Sequence, residues 1–290
     1  MTRRDFGAVS ITTVIEQDGP MFAPERLLPD WSAATFDEHR GWLVPRHFDP
    51  ASGMLVAPIQ SFLIKTPHHT ILVDGCFGNH KQRATPQFSG LDTPWLHRLA
   101  EAGATPDDID FVMCTHLHAD HVGWNTRLEN GRWVPTFPNA TYLICETEWR
   151  HWDNVARTGG GALGVHLVDS ILPVIDRGQA AFVGMDHEIE DDLSFLPLPG
   201  HTPGHVGLKV RSTDRSAIIT GDLMHHPIQC LYPHWNSGFC SVPVESAATR
   251  RAFLERYAES GVLIAPAHFP APTFGFIERA GDAFRFRYDE

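Results

Sequence analysis

Four side chains of the kinds that hold metal ions stand within six residues, His116-Leu-His118-Ala-Asp120-His121. They directly follow Ile109-Asp-Phe-Val-Met-Cys114, which is apolar on both faces, as a strand buried at the centre of a sheet must be. In extended chain residues i and i+2 point the same way, so His116 and His118 can grip one ion, while the turn after them aims Asp120 and His121 at a second. A solvated histidine-rich turn is the competing reading. Against it, three more short apolar strands each end on a potential ligand: Pro199-Gly-His201-Thr-Pro-Gly-His205, Thr220-Gly-Asp222 and Ala265-Pro-Ala-His268. The fold must therefore be one that turns the ends of several strands to a common task.

The rest of the chain supplies such a fold. Ala8–Ile15 is β-rich, and Gln60–Lys65 with Thr70–Asp74 resembles a hairpin turned at Pro67. Ala140–Cys145, Leu193–Leu198, Val206–Val210, Ala217–Thr220 and Val262–Ala265 read as further short strands. A helix is expected after Thr93-Pro94, with Thr93 as its cap and Gly103 past its end. Others are expected at about 146–156, at 163–175 and from Pro243 to Gly261, where Val244, Ala247, Ala248, Leu254 and Ala258 share a face. Gly159-Gly-Gly161 reads as a turn, since the Lys-Ser/Thr of a phosphate loop is missing. Short strands interleaved with a few helices indicate a mixed α/β layered domain, and with no composition break the expectation is a single domain over 1–290. Residues 17–53 form a long Pro- and aromatic-rich excursion, expected to be a cap loop with a short helix near Asp30 to His39.

Composition narrows the function. With 23 Lys and Arg against 35 Asp and Glu, the formal charge is -12, a field that repels nucleic acid and anionic membranes. No window approaches the roughly 20 apolar residues of a membrane span, and the N-terminus has no secretory h-region, so a cytoplasmic protein is expected. Cys76, Cys114, Cys145, Cys230 and Cys240 are odd in number and lack C-x-x-C spacing, which predicts free, mostly buried thiols. The expected partner is a small-molecule substrate, with no nucleic acid and no membrane, and a homodimer left open.

The order H-x-H-x-D-H, then H, then D, then H, over residues 74 to 268, resembles the metallo-β-lactamase superfamily. The resemblance implies an α/β fold, the αβ/βα four-layer sandwich of the metallo-β-lactamase type, with two metals at one edge. It assigns His116, His118 and His201 to the first metal, Asp120, His121 and His268 to the second, and Asp222 to both. Asp74 matches the acid that in relatives orients a ligand histidine. Imidazole and carboxylate ligands without thiolate suit two Zn2+ ions, with Mn2+, Co2+ or Fe2+ as substitutes. Two such ions would activate a bridging water for attack on a carbonyl or phosphoryl group.

Within the superfamily the residues exclude several branches. The β-lactamases carry Cys or Ser where this chain has Asp222, and the flavodiiron reductases carry Glu where it has His118. Only 22 residues follow His268, too few for the glutathione-holding domain of glyoxalase II, and the RNA-processing members are basic. What remains resembles the N-acyl-homoserine-lactone lactonases, 4-pyridoxolactonase and the methyl-parathion-type phosphotriesterases. Those lactonases carry, three residues past the bridging Asp, a Tyr that hydrogen-bonds the substrate carbonyl, and here that position is His225. The resemblance thus implies a dinuclear-metal hydrolase opening a lactone or ester of a small apolar or aryl-substituted substrate, with a phosphotriesterase as first alternative and a thioesterase or promiscuous β-lactamase behind it. Asp120 and His225 are the expected catalytic residues, Asp120 as proton shuttle and His225 as donor to the developing oxyanion.

Other residues have plainer expected roles. His226 is weighed between the pocket and packing, and His205 reads as bracing its own Pro-Gly turn. Trp124, Trp152, Trp235, Phe239 and Phe269, with Trp31 and Phe36, could form an apolar mouth, although each alone is more often core. Lys81-Gln-Arg83 reads as a solvated loop.

Overall fold

The computed structural model describes residues 1–158, 164–212 and 215–290. The Gly159-Gly-Gly161 turn and the first residue of the helix expected over 163–175 lie outside the described residues. The chain divides into two compact units, Met1–Glu16 with Ile59–His187, and Gln17–Pro58 with Glu188–Glu290.

In the first unit seven strands hydrogen-bond in their order along the chain: Arg3–Phe6, Val9–Gln17, Ile59–Lys65, Thr70–Val73, Phe111–Met113, Thr141–Cys145 and Ala180–Val183. Ile59–Lys65 and Thr70–Val73 make the expected hairpin, with Lys65 opposite Thr70. The last four strands run parallel, so each pair needs a long connection, and the helices Trp95–Glu101 and Glu146–Thr158 lie within two of these. Phe111–Met113 has a neighbour on either side, which explains why Val112 and Met113 are both fully buried. It ends just before Thr115-His116, and the outlet of a parallel strand is where α/β sheets collect their ligands.

Three local expectations needed correction. Pro94, not Thr93, caps the helix Trp95–Glu101, because Asn79 Oδ1 already takes the Thr93 amide (2.8 Å) and hydroxyl (3.2 Å). The helix over 163–175 is two, Val165–Ser170 and Leu172–Asp176, broken where Pro173 cannot donate to the preceding turn. A hairpin unread in the sequence pairs Thr126–Glu129 with Arg132–Pro135. Its two turn residues, Asn130 (φ 49°) and Gly131 (φ 76°), have the positive φ that such a tight turn demands.

Lys81-Gln-Arg83 is also not the solvated loop expected. Lys81 is fully buried. Its Nζ donates to Thr126 Oγ1 (2.7 Å), lies 3.6 Å from Asp169 Oδ1 and stands 3.7 Å from the Trp133 ring centre, while Arg83 grips Asp169 through two hydrogen bonds of 2.7 and 3.1 Å. Burial, partly offset by Asp169, lowers the Lys81 ammonium from 10.5 to about 7. The folded chain therefore binds fewer protons than the unfolded chain between those two values. Stability should rise with pH across that window, by up to about 1.4 kcal/mol per pH unit, and Lys81 should add no slope below it. Urea unfolding of the parent and of Lys81→Met at pH 7 and pH 9 checks this: the parent should gain on the variant, and parallel curves would contradict the depressed lysine.

The second unit also has a seven-stranded sheet in chain order: Glu188–Glu190, Leu193–Pro197, Val206–Arg211, Ser216–Ile219, Leu263–Ala265, Gly275–Ala280 and Ala283–Tyr288. Its one parallel pair, Ser216–Ile219 with Leu263–Ala265, is spanned by the helix Pro243–Tyr257. The face expected for that helix is wrong in part: Ser246, Arg250, Phe253 and Leu254 are buried, whereas Val244 is 85% exposed. The reason is the guanidinium of Arg250, which donates to the carbonyls of Leu223 (2.8 Å), Pro233 (2.8 Å) and Trp235 (2.6 Å) and to Ser246 Oγ (2.9 Å). A buried cation satisfied by backbone oxygens leaves no trace in an apolar periodicity.

The 17–53 excursion has structure of its own. Pro20–Phe22 and Phe48–Asp49 flank Met54–Val56 in a three-stranded sheet, and the helix Ala33–Leu43 is capped by Ser32, whose Oγ accepts the Thr35 amide at 3.1 Å. Trp31 is buried, stacked on Phe48 (centroids 6.2 Å apart, 6° between planes) and edge-on to His226. It is part of this segment's core, not a free wall. All five cysteines are free, with Cys240 alone partly exposed. Among the described residues no helix is long and apolar enough to cross a membrane.

Candidate metal centre

In the first unit the ligand turn is built on two adjacent strand ends. Asp74 follows Thr70–Val73 with φ 63°, a left-handed conformation uncommon for a non-glycine residue. Its Oδ1 accepts the Thr115 amide (2.8 Å) and its Oδ2 the Thr115 hydroxyl (2.9 Å) and His121 Nδ1 (2.8 Å). With Nδ1 donating, His121 keeps its lone pair on Nε2, and Asp74 orients the ring. His116 Nε2 and His118 Nδ1 lie 3.0 Å apart, close to the roughly 3.3 Å that separates two nitrogens each about 2.05 Å from one tetrahedral ion. Asp120 Oδ2 is 3.8 Å from His121 Nε2, and its side chain keeps 19% of its exposure.

Behind the turn stands an acid that the sequence reading missed. Glu16 accepts Trp124 Nε1 (2.6 Å) and the amides of Phe77 (2.9 Å) and Gly78 (3.1 Å), and burial pushes its carboxyl up to about 7. It thereby ties the segment after Asp74 to the segment after His121. The two run so close that a Cβ on Gly123 would come within 1.8 Å of the Phe77 carbonyl oxygen. The available signal was a lone carboxylate at the end of an apolar and threonine-rich strand.

In the second unit the remaining candidates converge on Asp222, itself 2% exposed. Its Oδ2 is 3.2 Å from His201 Nε2 and 3.1 Å from His225 Nε2, and its Oδ1 is 3.0 Å from His268 Nε2. Asp222, His225 and His268 each offer a ligand atom within 4.8 Å of the others. His268 Nδ1 donates to the Pro58 carbonyl (3.0 Å), so its Nε2 carries the lone pair. Burial lowers His201 to about 3 and lowers His225 as well, which holds both imidazoles neutral. Neutral imidazole nitrogens turned on a buried carboxylate, with no thiolate among them, are a donor set that fits a divalent metal such as zinc.

The lesser histidines separate clearly. His205 braces its turn as expected, donating from Nδ1 to the Leu198 carbonyl (2.8 Å), and its Nε2 also accepts the Asp222 amide (2.9 Å). His225 stacks on His268 (5.4 Å, 14°) and has its Nε2 turned to Asp222, while His226 turns away to the His47 carbonyl and Trp31. Gln229 fixes this split. Its Oε1 accepts both amides, His225 at 2.7 Å and His226 at 3.3 Å. Among the aromatics, Trp124, Trp235 and Phe269 are buried and Phe239 is 37% exposed, while Trp152 stands edge-on to His118 at 5.6 Å.

The chain is similar to known proteins in sequence and in fold. Residues 55–268 match the family model of the metallo-beta-lactamase superfamily. The N-acyl homoserine lactonase AttM of Azorhizobium caulinodans is 24% identical over 240 residues, 73% of this chain and 82% of that protein. Among solved structures, the hydrolase AbOPH of the beta lactamase superfamily superposes with a TM-score of 0.80 at 23% identity, over 100% of this chain and 98% of its own. AidC, a dizinc quorum-quenching lactonase in complex with a product, gives a TM-score of 0.80 at 20% identity, over 100% and 97%. The chain belongs to the metallo-β-lactamase superfamily. It has that superfamily's fold and is a metal-binding hydrolase.

Proposed function

We propose that this hydrolase opens a lactone or ester of a small apolar or aryl-substituted substrate in the cytoplasm, using two divalent metals, zinc first among them. His116, His118 and His201 would hold one, Asp120, His121 and His268 the other, and Asp222 both. The observation that carries the reading is the Asp222 carboxylate with three imidazole nitrogens within 3.0–3.2 Å. Similarity to AttM and AidC, both named as lactonases, supports the choice of a cyclic ester.

Bound divalent ions would polarise the substrate carbonyl and activate water near neutral pH. The chain's own groups do the rest. Asp74 and Pro58 fix the tautomers of His121 and His268, so that neither ring spends its Nε2 elsewhere. Asp120, the more exposed carboxylate, takes a proton from the attacking water and passes it to the leaving alkoxide. His225 swings its Nε2 from Asp222 to the oxyanion as charge develops there.

Metal analysis paired with a substrate screen tests the proposal. Purified protein should carry close to two metal ions per chain. Chelation should abolish turnover and lower the melting temperature, because ions bound only by the folded chain stabilise it. A lactone or aryl ester should be cleaved faster than a phosphotriester. Metal-free protein with full activity, or a melting curve indifferent to chelation, would refute the metal assignment, and preference for the phosphotriester would refute the carbon-centred reaction.

A further inference from the structure

The peptide between His116 and His118 is held by a residue from the helix that follows the next strand. Phe111–Met113 and Thr141–Cys145 are parallel neighbours, with Val112 beside Tyr142. Their C-terminal ends therefore lie side by side. One leads into His116, and the other leads directly into the helix Glu146–Thr158, whose third residue is Glu148. That helix is largely solvent-facing: Glu146 with Arg150 and Asp153 with Arg157 are exposed pairs on its surface. Glu148 is buried, at 1% exposure. A buried carboxylate is costly unless its hydrogen bonds compensate, and here a single oxygen, Oε1, accepts two, from the Leu117 amide at 3.1 Å and from Trp152 Nε1 at 2.7 Å.

Both donors bear on the same pair of histidines. Leu117 is the residue between them, so a rotation of its peptide would swing both imidazoles, which share one side of the extended chain. Trp152 lies one helical turn beyond Glu148, and its ring stands edge-on to His118 at 5.6 Å with 69° between planes. We infer that Glu148 is a positioning residue, whose Oε1 sets the spacing of His116 and His118 by fixing the Leu117 peptide and the Trp152 ring together. The inference rests on the proposed role of these two histidines as metal ligands.

Two substitutions that should both fold separate acceptor position from charge. Glu148→Gln keeps the length and an acceptor oxygen but loses the charge. Glu148→Asp keeps the charge and withdraws the oxygen by one carbon, out of reach of Leu117. In chelator competition with zinc, Glu148→Asp should bind about 10- to 100-fold more weakly than the parent, while Glu148→Gln stays within roughly threefold. The absorption bands of the cobalt-loaded protein should shift in Glu148→Asp and hold in Glu148→Gln. Glu148→Asp should also lower the melting temperature of the metal-free protein, because its buried carboxylate loses these hydrogen bonds, so zinc affinity and the cobalt bands are compared at a temperature where circular dichroism shows every variant folded. Parent-like zinc affinity in Glu148→Asp, or equal losses in both variants, would overturn the inference while leaving the ligand assignment intact. A parent that takes up no zinc would overturn both.

Discussion

Asp222→Ala should lower turnover by several orders of magnitude and reduce the metal content below two ions per chain. Three imidazole nitrogens stand 3.0–3.2 Å from this one carboxylate. Removing it leaves His201, His225 and His268 turned on an empty centre, and takes away the negative charge by which a shared carboxylate would hold two cations close together. Asp222→Asn separates charge from shape. The amide fills the same volume and its backbone can still donate to His205, so the fold should persist while activity collapses nearly as far. Steady-state kinetics and metal analysis on both variants decide the matter, and normal turnover in Asp222→Ala would end the two-metal proposal.

The second large effect belongs to His225. If it donates to the oxyanion, His225→Ala should lower kcat by about 10²-fold while changing KM far less, as loss of a single oxyanion donor does. His226→Ala is the natural comparison. Its ring packs against His47, Trp42 and Trp31, so that variant should lower the melting temperature through lost packing while each folded molecule turns over at the parent rate. The measurement is kcat for both variants on one lactone and one aryl ester. An unchanged kcat in His225→Ala would reduce this residue to a structural partner of Asp222 and His268.

The candidate ligand set was legible because coordination chemistry admits few residue types, and because the candidates cluster at the ends of short apolar strands. His116, His118, Asp120 and His121 are consecutive enough that the backbone period alone pairs them. The hairpin at Pro67 and the buried strand before His116 were legible for the same reason: their hydrogen bonds join near neighbours, and their apolar pattern is local. The excursion over 17–53 was visible as an anomaly of length, although not as the small sheet it forms, since its strands are only two or three residues long.

What the sequence could not supply are contacts between residues far apart along it. Glu16 reaches Trp124 across 108 positions and Phe77 across 61. Glu148 reaches Leu117 across 31, and Lys81 finds Thr126 across 45. Arg250 buries a cation against carbonyl oxygens, which carry no side-chain signature at all. His225 and His226 make the division plainest. The sequence determined that two imidazoles follow Asp222, and composition cannot tell one from the other. Only the folded chain, in which Gln229 pins both amides, sends the first ring to the carboxylate and the second into the packing beneath Trp31, because the direction of a side chain is set by the backbone that carries it.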